Sequence, residues 1–381
     1  MSQITLKLPP LSPTYVMQQM SEVYDWGLQD LHIPEIHKQT LGEGITVAVI
    51  DSGKSTHFEL ENNTLLAKNF SESEEVEDKN GHSTIVSGII AAEKNNQGII
   101  GVAPKAKILF AKAIDDSGSG NPIALAKAIL WAIKQNVDII SVSAGMFMNF
   151  EPLHNAVKKA YENDIIIIAA VGNTGTRHYD VAYPARYPEV IGVAAYDKKH
   201  ETAPFSSRGI NVSFAMPGVD VYSTWLNNQY VRMSGTSFSA PILSGICALI
   251  LAKHKLLGSK SKTPCKTPKQ MLEHLNKYAI KLDDPKATGF GTIDMKSMFE
   301  QEDKTEIPNL PKIIEPIIKP KPKPKKIKPK QKKRKKSVIR KFIPQKIKRK
   351  RTKPKRIKLR KRLKKYLIKA IWRSRRLNKI N

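Results

Sequence analysis

Apolar, β-branched runs alternate with stretches of helical periodicity over the first two thirds of the chain. Residues 44–51 (GITVAVID), 106–114 (AKILFAKAI), 138–145 (DIISVSAG) and 164–172 (DIIIIAAVG) are such runs. Their near-continuous apolar character predicts strands buried on both faces, as in a parallel sheet. Between them, NPIALAKAILWAIKQN sets Ile123, Ala126, Ile129, Leu130 and Ile133 on one helical face, and EPLHNAVKKAYEN predicts a second helix. Strands alternating with helices predict an α/β fold whose mostly parallel central sheet is covered on both sides. From about residue 190 follow VIGVAAYD, VSFAMPG, a hairpin-like VYSTWLNNQYVRM and a long apolar helix opening near Thr236.

The pattern changes near residue 301, where IIEPIIKPKPKPKKIKPKQKKRKK mixes proline with like charges. Proline removes backbone donors and the lysines repel, so residues 301–350 are expected to form a disordered linker. In 351–381, Leu359, Leu363, Tyr366, Leu367, Ala370 and Ile371 recur at spacings of three and four among cations, which predicts a basic amphipathic helix. The globular domain is placed at 22–300, after a terminal segment of residues 1–21.

Composition sharpens this division. The 381 residues carry a formal charge of +30 and are 40% hydrophobic, enough for a large core. Residues 316–381 hold 33 Lys and Arg and no acidic residue, whereas the first 315 hold 31 basic against 34 acidic. A near-neutral globular protein therefore precedes a polycation. That polycation is expected to bind nucleic acid or another anionic surface, a membrane or a capsid among them. The opening MSQITLKLPPLSPTY lacks an apolar core of signal-peptide length, and no run of about 18 apolar residues occurs, so a cytoplasmic or virion-associated protein without a transmembrane segment is expected. Two cysteines, Cys247 and Cys265, imply no disulfide framework and suit a reducing compartment.

Four short stretches carry the chemistry. VIDSGKSTH ends a buried strand at Asp51; NGHSTIVSGIIAA opens an apolar helix at His82; AAVGNTG follows a buried strand with Asn173; SGTSFSAPILSG opens a helix with Ser237. Taken singly, these read as a turn cap, a loop histidine, a tight turn and an N-cap. A serine hydroxyl becomes a nucleophile only when a base takes its proton and a carboxylate orients that base. In the order Asp, His, Ser, over residues 22–300, the motifs resemble the subtilisin family of serine proteases.

The resemblance implies a three-layer subtilisin-like fold and a serine endopeptidase acting on proteins or peptides. Ser237 would be the nucleophile, His82 the base, Asp51 its orienting carboxylate and Asn173 an oxyanion donor. It also implies that the substrate pairs as a strand between Gly118, Ser119 and Gly120 on one side and Ser143, Ala144 and Gly145 on the other. A calcium site would draw on Glu59, Glu93, Asn95, Gln97 and Ile99, with the carbonyls of Glu93 and Ile99 among the ligands. Departures from the family pattern are Ser83 and Ile85 in the histidine motif, Phe238 after the serine and Ala144 in the cleft. Intracellular members carry a short terminal segment that occupies the cleft, and LKLPPLSP (residues 6–13) resembles it in position. The alternative is a nucleic-acid-binding or virion structural protein whose protease domain is inactive or processes only itself.

Overall fold

A computed structural model of the chain describes residues 5–8, 16–17, 21–176, 181–258 and 265–303. The predicted apolar runs form strands β1 (Thr46–Asp51), β3 (Lys107–Lys112), β4 (Ile139–Val142), β5 (Ile166–Ala170), β6 (Ile191–Tyr196) and β7 (Phe214–Pro217). With β2 (Thr64–Asn69) they make a seven-stranded parallel sheet in the order β7-β6-β5-β4-β1-β3-β2. Strand β2 has no counterpart in the sequence reading. It lies at the edge, with Leu65 54% and Leu66 44% exposed, so it lacks the continuous apolar run that marks its neighbours.

Successive side chains of β1 feed two different cores, as the alternation of a strand requires. Val47 and Val49 pack with helices α1 (His82–Ala91) and α4 (Thr236–Leu257), whereas Ala48 and Ile50 pack with α2 (Pro122–Lys134) and α3 (Glu151–Glu162). The fold is thus three-layered α/β. Helix α4 is long and apolar enough to cross a membrane, yet 94% of its most apolar window is buried between the sheet and α1.

Helix α2 is rotated relative to the predicted face. Its buried side carries Leu125, Ala128, Ile129 and Ala132, while Ile123 is 46% exposed and Leu130 and Ile133 are half-buried. Alanines are apolar enough to pack on the sheet but too small to dominate a periodicity count, so the larger isoleucines misplaced the stripe.

Strands β8 (Val221–Trp225) and β9 (Gln229–Met233) form the expected hairpin, and Val16–Met17 adds a third antiparallel strand against Tyr230 and Val231. After α5 (Pro268–Lys277), α6 (Met295–Asp303) runs through the position where the sequence reading ended the globular domain. The Pro/Lys-rich linker from 304 onward and the amphipathic helix of 351–381 lie outside the described residues.

Candidate active site

The sheet reverses direction of winding about β1, and its carboxyl edge there is the usual place for a site in an open α/β fold. Asp51 closes β1, and its backbone carbonyl is held by the N–H groups of Ala113 and Ile114. Its carboxylate accepts from His82 Nδ1 at 2.8 and 2.9 Å and from the Ser52 N–H at 2.7 Å. Both side chains are completely buried. With Nδ1 donating, the lone pair of His82 lies on Nε2, a buried atom with no hydrogen-bond partner.

His82 is aimed by the turn before its helix. The N-cap is Gly81 at φ +95°, where a β-carbon would be strained and would fall on the Trp225 ring. Glycine has no side chain to cap α1, so Asp78 does it from three residues upstream. Asp78 Oδ1 accepts from the N–H of Asn80 and Gly81 and from Ser52 Oγ, and Oδ2 accepts from the Thr84 N–H and hydroxyl. Ser52 Oγ in turn receives the Ser83 N–H at 3.0 Å. Burial pushes the Asp78 carboxyl above the usual carboxylate range, the Asp51 charge adds to that, and the donors from Thr84 and Gly81 oppose it. Neither Asp78 nor Ser52 figured in the sequence reading, although an aspartate just ahead of an apolar helix is a capping signal.

Ser237 occupies the first turn of α4 and is held by Ser143 in a reciprocal pair. Pro241 lacks the N–H that a helix would direct at the Ser237 carbonyl four residues back, and Ser143 Oγ donates to that carbonyl instead, at 2.9 Å. The Ser237 hydroxyl donates to the Ser143 carbonyl at 3.1 Å, not to His82. Phe238 packs its ring 5.7 Å from that of His82 and is buried in the core. Asn173 Oδ1 accepts from the Thr236 N–H at 3.0 Å and hydroxyl at 2.9 Å, which ties its carboxamide to the start of α4 and turns Nδ2 toward Gly235. Thr236 is a further residue that the sequence reading missed. The substituted Ser83 and Ile85 are buried in α1, with the Ser83 hydroxyl unpartnered.

Gly118–Gly120 and Ser143–Gly145 flank an extended piece of the chain's own amino-terminal segment. Leu6 and Lys7 pair antiparallel with Gly120 and Ser119, the Leu8 N–H donates to the Gly118 carbonyl at 2.9 Å, and Lys7 bridges Gly145. Leu6 is completely buried by this contact, and Ala144 is buried as well. Of the segment 6–13, residues 9–13 lie outside the described residues.

The five residues of the implied metal loop are only partly convergent. Glu59 Oε1 accepts from the Ile99 N–H and the Tyr230 hydroxyl, and Oε2 is buried without a partner. Asn95 Oδ1 is engaged by the Gln97 N–H at 3.1 Å. The Glu93 carboxylate is turned to Asn62, although its N–H meets the Glu59 carbonyl at 3.0 Å. Glu22, absent from the sequence reading, accepts from the N–H groups of Asn95 and Asn96. Burial pushes the Glu59 carboxyl up to about 8, with Glu22 and Glu93 adding to the rise against the Tyr230 and Ile99 bonds.

Residues 42–291 match the model of the subtilase family. The chain is 37% identical over 276 residues to the thermostable alkaline protease of Halalkalibacterium halodurans, covering 72% of this chain and 73% of that one. It is 37% identical over 279 residues to the minor extracellular protease Epr of Bacillus subtilis, covering 71% of this chain and 41% of the relative. To the intracellular serine protease of Paenibacillus polymyxa it is 36% identical over 293 residues, 74% of this chain and 88% of that one.

Proposed function

The chain belongs to the subtilase family and is a subtilisin-like serine endopeptidase, and on that footing we propose that Asp51, His82, Ser237 and Asn173 perform its peptide-bond hydrolysis. The observation that carries this assignment is the fully buried Asp51–His82 pair, which leaves a basic nitrogen uncommitted beside the helix turn bearing Ser237. A rotation of the Ser237 side chain exchanges its bond to the Ser143 carbonyl for one to His82 Nε2. His82 then takes the hydroxyl proton as Oγ attacks the scissile carbonyl, and Asp51 stabilises the imidazolium. Asn173 Nδ2 and the Ser237 N–H supply donors for the oxyanion of the tetrahedral intermediate, the second strengthened by the positive end of α4. His82 returns the proton to the leaving amine, and water releases the acyl group by the same steps in reverse roles.

The test is a fluorophosphonate probe followed by peptide mapping, with turnover of a peptide library read in parallel. Stoichiometric labelling of Ser237 and its loss in Ser237→Ala are expected. Turnover should fall roughly 10^6-fold in that variant, the size of loss that follows removal of a subtilisin nucleophile. Labelling elsewhere, or a Ser237→Ala protein as active as the parent, would overturn the assignment.

A substrate main chain would lie as an added strand between Gly118–Gly120 and Ser143–Gly145, the place residues 6–8 take here. We read residues 5–8 as a plug of that cleft. For calcium, the donor chemistry fits: Glu59 carries a buried oxygen without a partner, two further carboxylates lie near, and hard oxygens are what Ca²⁺ prefers. Glu59, the Asn95 side chain and the carbonyls of Glu93, Gln97 and Ile99 would hold it, and the ion would neutralise Glu59 and brace the loop. Chelation is expected to lower the Tm, followed by circular dichroism; an unchanged Tm would dismiss the ion. A cytoplasmic location is proposed, in keeping with the intracellular relative and with cysteines that form no disulfide among the described residues.

A further inference from the structure

On the side of the molecule away from Ser237, two helices bring three soft donors together. His254 lies in the last turn of α4, Cys265 just before α5, and His274 on the inner face of α5. One ligand atom from each lies within 4.8 Å of the other two. The imidazole rings stand 5.9 Å apart at 80°, edge-on rather than stacked. Cys265 and His274 are buried, and His254 is half-buried.

An imidazole of ordinary pKa is mostly neutral at pH 7. A neutral imidazole is the form that ligates a metal. The positive neighbours are largely committed: Lys253 Nζ donates to Gln39 Oε1 and the Phe299 carbonyl, and Lys277 Nζ lies over the Tyr278 ring. A thiolate at Cys265 offsets what remains.

We infer that His254, Cys265 and His274 form a site for a borderline-soft divalent transition metal, Zn²⁺ being the best match, which clamps the end of α4 to α5. Two nitrogens and one sulfur suit tetrahedral zinc, with water as the fourth ligand. Bonds of about 2.0–2.3 Å put the donors of such a centre roughly 3.3–3.8 Å apart, so the three side chains close by about an ångström on binding. Binding converts the Cys265 thiol to thiolate, whose proton goes to solvent. Cys247 lies two turns before His254 on α4, near enough to Cys265 for the two thiols to influence each other.

The test uses the full chain in the Ser237→Ala background, so that self-digestion is excluded and no readout depends on activity. The protein is stripped, reduced, saturated with calcium and titrated with Co²⁺ and then Zn²⁺. The expected result is one equivalent of Co²⁺ with a thiolate charge-transfer band and tetrahedral d–d bands, displaced by Zn²⁺, with one proton released and a raised Tm. Cys265→Ser removes the charge-transfer band, and His274→Gln weakens binding by at least about tenfold, since even indirect partners of a metal ligand are worth that much. Cys247→Ser retains the full signal, which serves as the control should a ligand variant fold poorly. The inference is overturned by a folded, reduced protein that binds no Co²⁺ beyond the calcium loop, or by Cys265→Ser and His274→Gln titrating like their parent.

Discussion

Asn173 shows how one end of a side chain can be aimed by anchoring the other. Its Oδ1 is anchored twice by Thr236, and because a carboxamide is planar, fixing the oxygen fixes Nδ2. Asn173→Ala is expected to lower kcat by about 10²–10³-fold with little change in KM, the range that loss of an oxyanion-hole asparagine costs a subtilisin. Thr236→Val should show a smaller loss in the same parameter, since it removes the hydroxyl anchor and keeps the backbone one. Steady-state kinetics on a single peptide substrate separates the two effects. Phe238 belongs to the same scale: it is a core residue packed beside His82, so its bulk is absorbed by the interior.

Helix α1 illustrates how an element is positioned by groups outside it. Its glycine N-cap offers no side-chain acceptor, and Asp78 with Ser52 satisfies the N–H groups that would otherwise be orphaned. The same two side chains connect the end of β1 to the start of α1, so the Asp51–His82 distance is set by this bridge as much as by the pair itself. Asp78→Ala is expected to destabilise the fold by at least about 2 kcal/mol, measured by denaturant unfolding, because several buried donors lose their acceptor. It should also lower kcat at temperatures where the protein is still folded. Helix α4 shows the converse, a proline used inside an element. Pro241 frees the Ser237 carbonyl for Ser143, which joins the start of α4 to the segment that follows β4.

At the scale of the molecule, the amino-terminal segment contributes at two places with different consequences. Residues 6–8 lie against Gly118–Gly120, the edge of the proposed cleft, and Val16–Met17 adds a strand to the β8–β9 sheet. A deletion that spans both would confuse a lost plug with a damaged fold. Removal of residues 1–10, or Leu6→Asp in the intact chain, is therefore the informative change. Either is expected to raise the initial rate of peptide hydrolysis and to abolish any lag, with the fold retained by circular dichroism; initial rates equal to those of the parent would rule out the plug.

Much of this was legible in the residues alone. Apolar runs declared the buried strands, because a strand covered on both faces carries few polar residues, and strand–helix alternation declared the parallel sheet. The order of Asp51, His82 and Ser237 in distinct local contexts identified the family. Edge strand β2 and the face of α2 were not legible, since one is half-solvated and the other is built from alanine. Only the folded chain decided which groups share a place. Asp78 meets Thr84, Ser143 meets Ser237, Leu6 meets Gly120, and His254 meets Cys265 and His274 because the sheet and its helices bring distant segments within a few ångströms. Periodicity reports what each residue needs from its surroundings, and it is silent on which residue supplies it.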